Sequence, residues 1–292
     1  IKALREGLVA NRIVSLYGIL NGTCNYILTR MEEERLSFDE VLKAAQAAGY
    51  AETEPSLDVD GVDTAHKAVI LASLAAGAPV PMSAAHVEGI RDISAGDISY
   101  AAEMGYRIKL LAVVKQEAAG IEVRVHPTLV PHAHPLASVG SVFNAVMISG
   151  DIVGDTLYYG RGAGRRATAS AVLADLADVA HHRACGARRP PVFLPEAGPV
   201  KLRPLGEVRT RCYLRLSLLD RPGVLAKVAQ ALGRHGISIA SVMQKEVRLG
   251  GHVPVIVVTH EAPEKAFQAA LEEIDRLEEV GAPTVRLRIE DF

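Results

Sequence analysis

Cysteine is scarce: Cys24, Cys185 and Cys212 are the three in 292 residues. Their wide spacing gives neither a disulfide framework nor a metal-ligand pattern. An excess of one charge is lacking too. The 32 Lys and Arg against 34 Asp and Glu leave a formal net charge of -2. Without a basic patch, neither nucleic acid nor an anionic membrane is expected as a partner. Long hydrophobic runs are also missing. The longest, Ala68 to Met82, is broken by Pro79 and Pro81 and is too short to span a bilayer. The opening residues Ile1-Lys2-Ala3-Leu4-Arg5-Glu6 do not resemble a signal peptide, so a cytosolic, reduced chain is the expectation. What is present, 49% hydrophobic and 23% charged residues, is ordinary for a soluble globular protein. The length predicts two domains.

The first region, 1–180, mixes helices and strands. Asn11 to Leu20 reads as a buried strand and Thr23 to about Glu34 as a helix. Ser37-Phe38-Asp39-Glu40 is a capping box that opens a second helix, stopped by Gly49. Strand-like runs recur at His86–Ile90, Ile108–Lys115, Ile121–Val125, Ser141–Ile148 and Asp151–Tyr159. These imply an α+β fold, a mixed open sheet covered by helices. Residues 181–207, with Arg189-Pro190-Pro191, Pro195, Pro199 and Pro204, read as a linker. In 208–292, Leu214, Leu216 and Leu218 alternate along a half-buried strand, and the later pattern gives βαββαβ, a ferredoxin-like unit.

The densest chemistry lies in Glu52 through Lys67. Five carboxylates, Glu52, Glu54, Asp58, Asp60 and Asp63, precede a lysine in an otherwise apolar helix that begins near Thr64. Burial would lower the proton affinity of Lys67, while Asp63, one turn earlier on the same face, would raise it. Such a cation can give or take a proton near neutral pH. The plainer alternative is a helix-start ion pair behind an acidic surface loop.

The same stretch carries a resemblance. Gly49-Tyr50-Ala51-Glu52-x-Glu54-Pro55-x-x-Asp58-Val59-x-Gly61-x-Asp63-x-x-x-Lys67 resembles the signature of homoserine dehydrogenases, as do Gly18-Ile19-Leu20-Asn21-Gly22-Thr23-x-Asn25-Tyr26-Ile27-Leu28, His126-Pro127-x-Leu129-Val130-Pro131 and Asn144-Ala145-Val146. The resemblance covers essentially the whole chain. It implies NAD- or NADP-dependent interconversion of L-homoserine and L-aspartate 4-semialdehyde, on the route to threonine, methionine and isoleucine. Lys67 matches the family's proton donor, and Asp63 a residue that contacts the substrate and holds that lysine. Glu52 would meet the substrate ammonium or the nicotinamide ribose, Asp58 would join the network, and Tyr50 would line the substrate site. Gly49 and Gly162 would approach the cofactor. The Gly22-Thr23 N–H groups could hold the substrate carboxylate; equally, they form a glycine turn with Thr23 as N-cap. A homodimer is implied.

The family's nucleotide-binding domain, its second active-site lysine and its monovalent-cation site would precede Ile1, so a fragment inactive by itself is the expectation. The choice of NAD or NADP would lie there as well. Leu218-Leu219-Asp220-Arg221-Pro222-Gly223-Val224-Leu225 looks like an ACT domain, a module that often binds an amino-acid effector or pairs with itself. The rival reading is a non-catalytic amino-acid-sensing or oligomerising module.

Three other features carry less. Gly160-Arg161-Gly162-Ala163-Gly164 lacks the third glycine of a dinucleotide fingerprint, which is Arg165 here, and no acid follows about twenty residues on. It resembles the family's late glycine segment, with Ala167 where a proline is common. His132-Ala133-His134 has metal-like spacing without a third ligand, and no metal is expected. Cys24 reads as a small buried residue.

Overall fold

In the computed structural model, which describes residues 1–186, 198–245 and 251–292, the chain divides into two units. The first comprises Ile1–Ala95, Lys109–His126 and His134–Leu202; the second comprises Gly96–Ile108, Pro127–Ala133 and Arg203–Phe292. The division therefore cuts across the linear boundary near residue 180.

The first unit contains β1 (Ile13–Ile19), α1 (Gly22–Glu34), α2 (Phe38–Ala47), α3 (Ser56–Val59), α4 (Val62–Ala76) and β2 (Ala85–Val87). Ala95 starts α5 (Ala95–Glu103), and the division falls within β3 (Tyr106–Glu117) and β4 (Gly120–Pro131). The unit continues with β5 (Phe143–Gly150), β6 (Gly154–Arg161) and α6 (Arg165–Ala184). Its strands run in the order β6-β5-β1-β3-β4. β1 is antiparallel to both neighbours, with Tyr17 opposite Val113 and Met147. β2 adds in parallel, Ala85 beside Val123, so the sheet is mixed. Leu110 to Val114 are all buried, as in a strand covered on both faces. α1 packs on β5, and α4 on β1 and β2.

The capping box forms as read. The Ser37 hydroxyl accepts from the Glu40 N–H, and the Glu40 carboxylate accepts from the Ser37 N–H at 2.8 Å. The acidic stretch is not a plain loop, because Pro55 to Asp60 winds the short α3. Gly61 then turns the chain into α4 at φ +82°. A Cβ there would meet the Glu88 carbonyl oxygen at 3.1 Å. Gly61→Ala is expected to destabilise the first unit by about 1–3 kcal/mol, read as a lower denaturant midpoint. α4 is not buried all round: His66, Lys67 and Ile70 are exposed while Ala65, Ala68 and Ala72 are buried.

The second unit takes α5 and the end of β4, then β7 (Arg209–Leu219), α7 (Val224–Arg234), β8 (Ile239–Gln244), β9 (His252–Thr259), β10 (Ala262–Pro263), α8 (Glu264–Ile274) and β11 (Val280–Ile289). The order β11-β7-β9-β8, antiparallel throughout, is the ferredoxin-like βαββαβ arrangement. The inward face of β7, Leu214, Leu216 and Leu218, packs with Val228, Leu232 and Phe267 from the two helices. Under it Glu264 bonds Arg288 at 2.8 and 2.9 Å and accepts from the Thr210 hydroxyl at 3.0 Å. Among the described residues no helix is long and apolar enough to cross a membrane.

Candidate active site

Short segments of the first unit line a cavity of about 480 Å³. Leu20 and Asn21 follow β1, and Gly22 and Thr23 begin α1. Asp58 comes from α3, with Asp63 and Lys67 from α4. Asn144 and the 161–164 turn, between β6 and α6, close the far wall. Asn25 fixes that wall to α1, its amide donating to the Val139 and Phe143 carbonyls at 3.1 and 3.0 Å.

Lys67 Nζ donates to Asp63 Oδ2 at 2.6 Å and to the Leu20 carbonyl at 3.1 Å. The i,i+4 spacing on α4 brings lysine and acid together, as the sequence predicts. The environment differs from the expectation, since the lysine side chain is 48% exposed and Asp63 32%. Positions 63 and 67 share the face of α4 that opens on the cavity, so the apolar run does not bury the amine. The five acids do not converge either. Asp63 touches Lys67, and Asp58 joins through Asn21, whose Nδ2 donates to Asp58 Oδ1 at 2.7 Å and Asp63 Oδ2 at 2.9 Å. Asp60 pairs with Arg91, and Glu54 accepts from Ser56. Glu52 is exposed and does not line the cavity.

Gly22, Thr23, Gly49, Tyr50 and Gly162 do line it. The cap of α1 is Asn21 rather than Thr23: its Oδ1 accepts the Cys24 N–H at 2.8 Å. Thr23 instead donates its hydroxyl to the Tyr50 carbonyl at 3.0 Å, and the Tyr50 ring rests on Tyr26 at 4.7 Å. Gly22 and Thr23 then offer the N–H groups that helix geometry leaves without an intrahelical acceptor. Cys24 is buried with its thiol on the Asp58 carbonyl at 3.1 Å. Burial, then Asp58, Asp63 and Asp60, push that thiol well above its ordinary value, which suits packing rather than nucleophilic work.

At Gly162 a Cβ would run into the Asn144 side-chain amide, which would have to shift to admit a larger residue. Asn144 Oδ1 is buried and takes no hydrogen bond from a described residue. Arg161 lies over the Phe143 ring at 5.1 Å, its charge at the cavity rim. His134 uses Nδ1 to accept the Leu136 N–H at 3.3 Å. Sequence reasoning missed Asn21, Asn144 and Arg161. Asn21 carried a signal, an N-cap residue type before a helix, but Thr23 offered the same signal two positions on.

A cavity walled by two carboxylates, a lysine and an arginine on an α+β unit, with a βαββαβ unit in the same chain, defines a small-molecule enzyme with an ACT-type domain. Family models described as homoserine dehydrogenase and ACT domain match residues 1–177 and 213–279. The chain belongs to the homoserine dehydrogenase family. It is 48% identical to the homoserine dehydrogenase of Pseudomonas aeruginosa, covering 100% of this chain and 68% of that protein. It is similar to a crystal structure of a homoserine dehydrogenase from Thiobacillus denitrificans, with 46% identity, a TM-score of 0.93 and coverage of 99% of this chain and 67% of that one. A hyperthermophilic archaeal homoserine dehydrogenase in complex with NADPH shares 30% identity and a TM-score of 0.51, over 60% of this chain and 50% of that one. The chain thus spans about two thirds of the first two relatives.

Proposed function

We propose that this chain carries the substrate-binding and proton-transferring part of an enzyme that interconverts L-homoserine and L-aspartate 4-semialdehyde. The observation that carries the proposal is the Lys67–Asp63 pair at 2.6 Å on the wall of a cavity large enough for a small amino acid. Asp58 and Asp63 face the cavity with the charge an ammonium needs, and the Gly22 and Thr23 N–H groups at the start of α1 suit a carboxylate. Tyr50 closes the substrate end. In the reducing direction Lys67, as the ammonium, donates its proton to the aldehyde oxygen, and its charge stabilises the developing alkoxide. In the oxidising direction the neutral amine takes the hydroxyl proton back. Glu52 is assigned to the ligand through the family resemblance alone.

The residues present fit the nicotinamide end of a dinucleotide. Asn144 Oδ1 is a buried acceptor awaiting an N–H, beside a turn kept bare by Gly162 and Gly164; a carboxamide supplies such a group. Asn144, Gly162 and Gly49 would hold that end. The bound nicotinamide supplies or accepts the hydride at the substrate carbon. The bound NADPH of the archaeal relative supports NADP as one usable cofactor, with NAD the other.

The second unit would act as an ACT-type domain for an amino-acid effector, in a cytoplasmic homodimer whose product feeds threonine, methionine and isoleucine synthesis. Its boundaries as a regulatory domain would be 208–292, after a substrate-binding domain over 1–180 and a linker at 181–207. The linker's Arg189-Pro190-Pro191 and Pro195 lie outside the described residues. The non-catalytic alternative accounts for the second unit but leaves the cavity unexplained. Residues 1–292 alone are expected to turn over no substrate, since the relatives are half as long again. The test is an assay of the full-length enzyme with aspartate 4-semialdehyde and NADPH or NADH. Oxidation of dinucleotide matched by homoserine formed is the expected result; no oxidation with either cofactor would refute the proposal.

A further inference from the structure

Asn21 does more than cap a helix. The N-cap role needs only its acceptor, which takes the Cys24 N–H at 2.8 Å, and serine or aspartate would serve that role as well. With Oδ1 placed by that bond, Nδ2 and both its hydrogens must face the opposite way. They go to Asp58 Oδ1 at 2.7 Å and Asp63 Oδ2 at 2.9 Å, across 37 and 42 residues of sequence. The Asp63 oxygen it reaches is the one that accepts from Lys67, and the lysine's second acceptor is the carbonyl of Leu20, the preceding residue. One buried dipeptide just after β1 therefore grips both members of the ion pair.

We infer that Asn21 is a positioning residue for proton transfer: its amide bridges Asp58 and Asp63 and aims Asp63 at Lys67. This rests on the proposed function of the site. Two carboxylates sharing a cavity repel, and a neutral amide that donates to both holds them together without adding a charge. Asparagine is suited to this because its head offers one acceptor for the cap and two donors for the acids. The charged and titratable groups around it are Asp58 from α3 and Asp60 just after it, the latter held by Arg91, Asp63 and Lys67 from α4, the Cys24 thiol from α1 and Arg161 at the rim.

The experiment compares full-length enzyme with Asn21→Ser and Asn21→Asp, both of which retain a cap. In Asn21→Ser, kcat for aldehyde reduction is expected to fall on the order of a hundredfold, with the alkaline limb of the pH profile moved to lower pH as Asp63 turns from the amine. The KM for the dinucleotide should hold. In Asn21→Asp a third carboxylate in place of the donors should bring a new ionisation into the acid limb. Circular dichroism and thermal unfolding close to the parent would place both losses in the site. Variants that fold and keep the parent's kcat and both limbs would overturn the inference, as would losses tracking unfolding alone in both. A parent enzyme that does not reduce the aldehyde fails the function itself and takes this inference with it; an active parent with indifferent variants removes only the role of Asn21.

Discussion

Lys67→Met in the full-length enzyme is expected to lower kcat for aldehyde reduction by about 10²–10⁴-fold, the usual worth of a positioned general acid. The reason is local. The Lys67 amine is held at two points, by Asp63 at 2.6 Å and the Leu20 carbonyl at 3.1 Å, so its third hydrogen can be presented to a ligand in the cavity. Lys67→Arg separates charge from proton transfer. A guanidinium keeps the pair with Asp63 but does not give up its proton, so an electrostatic role predicts recovery and a proton-donor role predicts none. Steady-state rates of both variants, in both directions, decide between them. Normal turnover in Lys67→Met would leave the Asp63 pair as an ordinary surface salt bridge.

The second large effect concerns stability. Glu264→Leu is expected to cost the second unit about 3–5 kcal/mol, because it removes the buried carboxylate that accepts from Arg288 at 2.8 and 2.9 Å. Glu264 is 3% exposed and Arg288 fully buried, and Arg286 reaches the same carboxylate at 3.1 Å. Burial raises the Glu264 carboxyl, but the bonds and charges of Arg288, then Arg286 and Thr210, outweigh it and hold the group below its ordinary value. Its contribution is therefore present above the unfolded carboxyl range of about 4.3 and is lost as pH falls through the lower folded value. Denaturant midpoints should stay level for this group through neutral pH and drop in acid. Glu264→Leu should remove that part of the drop. Adding Arg288→Met should restore much of the lost stability, since a buried ion pair is replaceable by apolar packing.

Local signals were legible in the sequence where local physics decides. The Ser37–Glu40 box needs only three residues of separation, and it forms. The βαββαβ unit announced itself through Leu214, Leu216 and Leu218, whose alternation matches their burial. β4 was read too short. It runs through Pro127 to Pro131 because Thr128 and Leu129 find partners at Arg288 and Ile289, far along the chain. α6 carries Val172, Leu173, Leu176 and Val179, yet no residue of it is buried.

The site divides the same way. Asp63 and Lys67 were visible because helical spacing alone joins them. Counting acids from Glu52 to Asp63 overstated their convergence, since composition does not say where a side chain points. Glu54 and Asp60 turn to Ser56 and Arg91 instead. Asn21 and Asn144 act across distant segments, and no window of sequence holds both ends of either contact.

The most direct measurement is the pH dependence of kcat/KM for aldehyde reduction by the full-length enzyme, with the Lys67 ammonium followed alongside by nitrogen NMR of isotope-labelled lysine. A general acid predicts that the rate falls with rising pH along the same curve on which Lys67 loses its proton. A Lys67 amine that titrates without any change in rate, or an alkaline limb that persists in Lys67→Met, would contradict it.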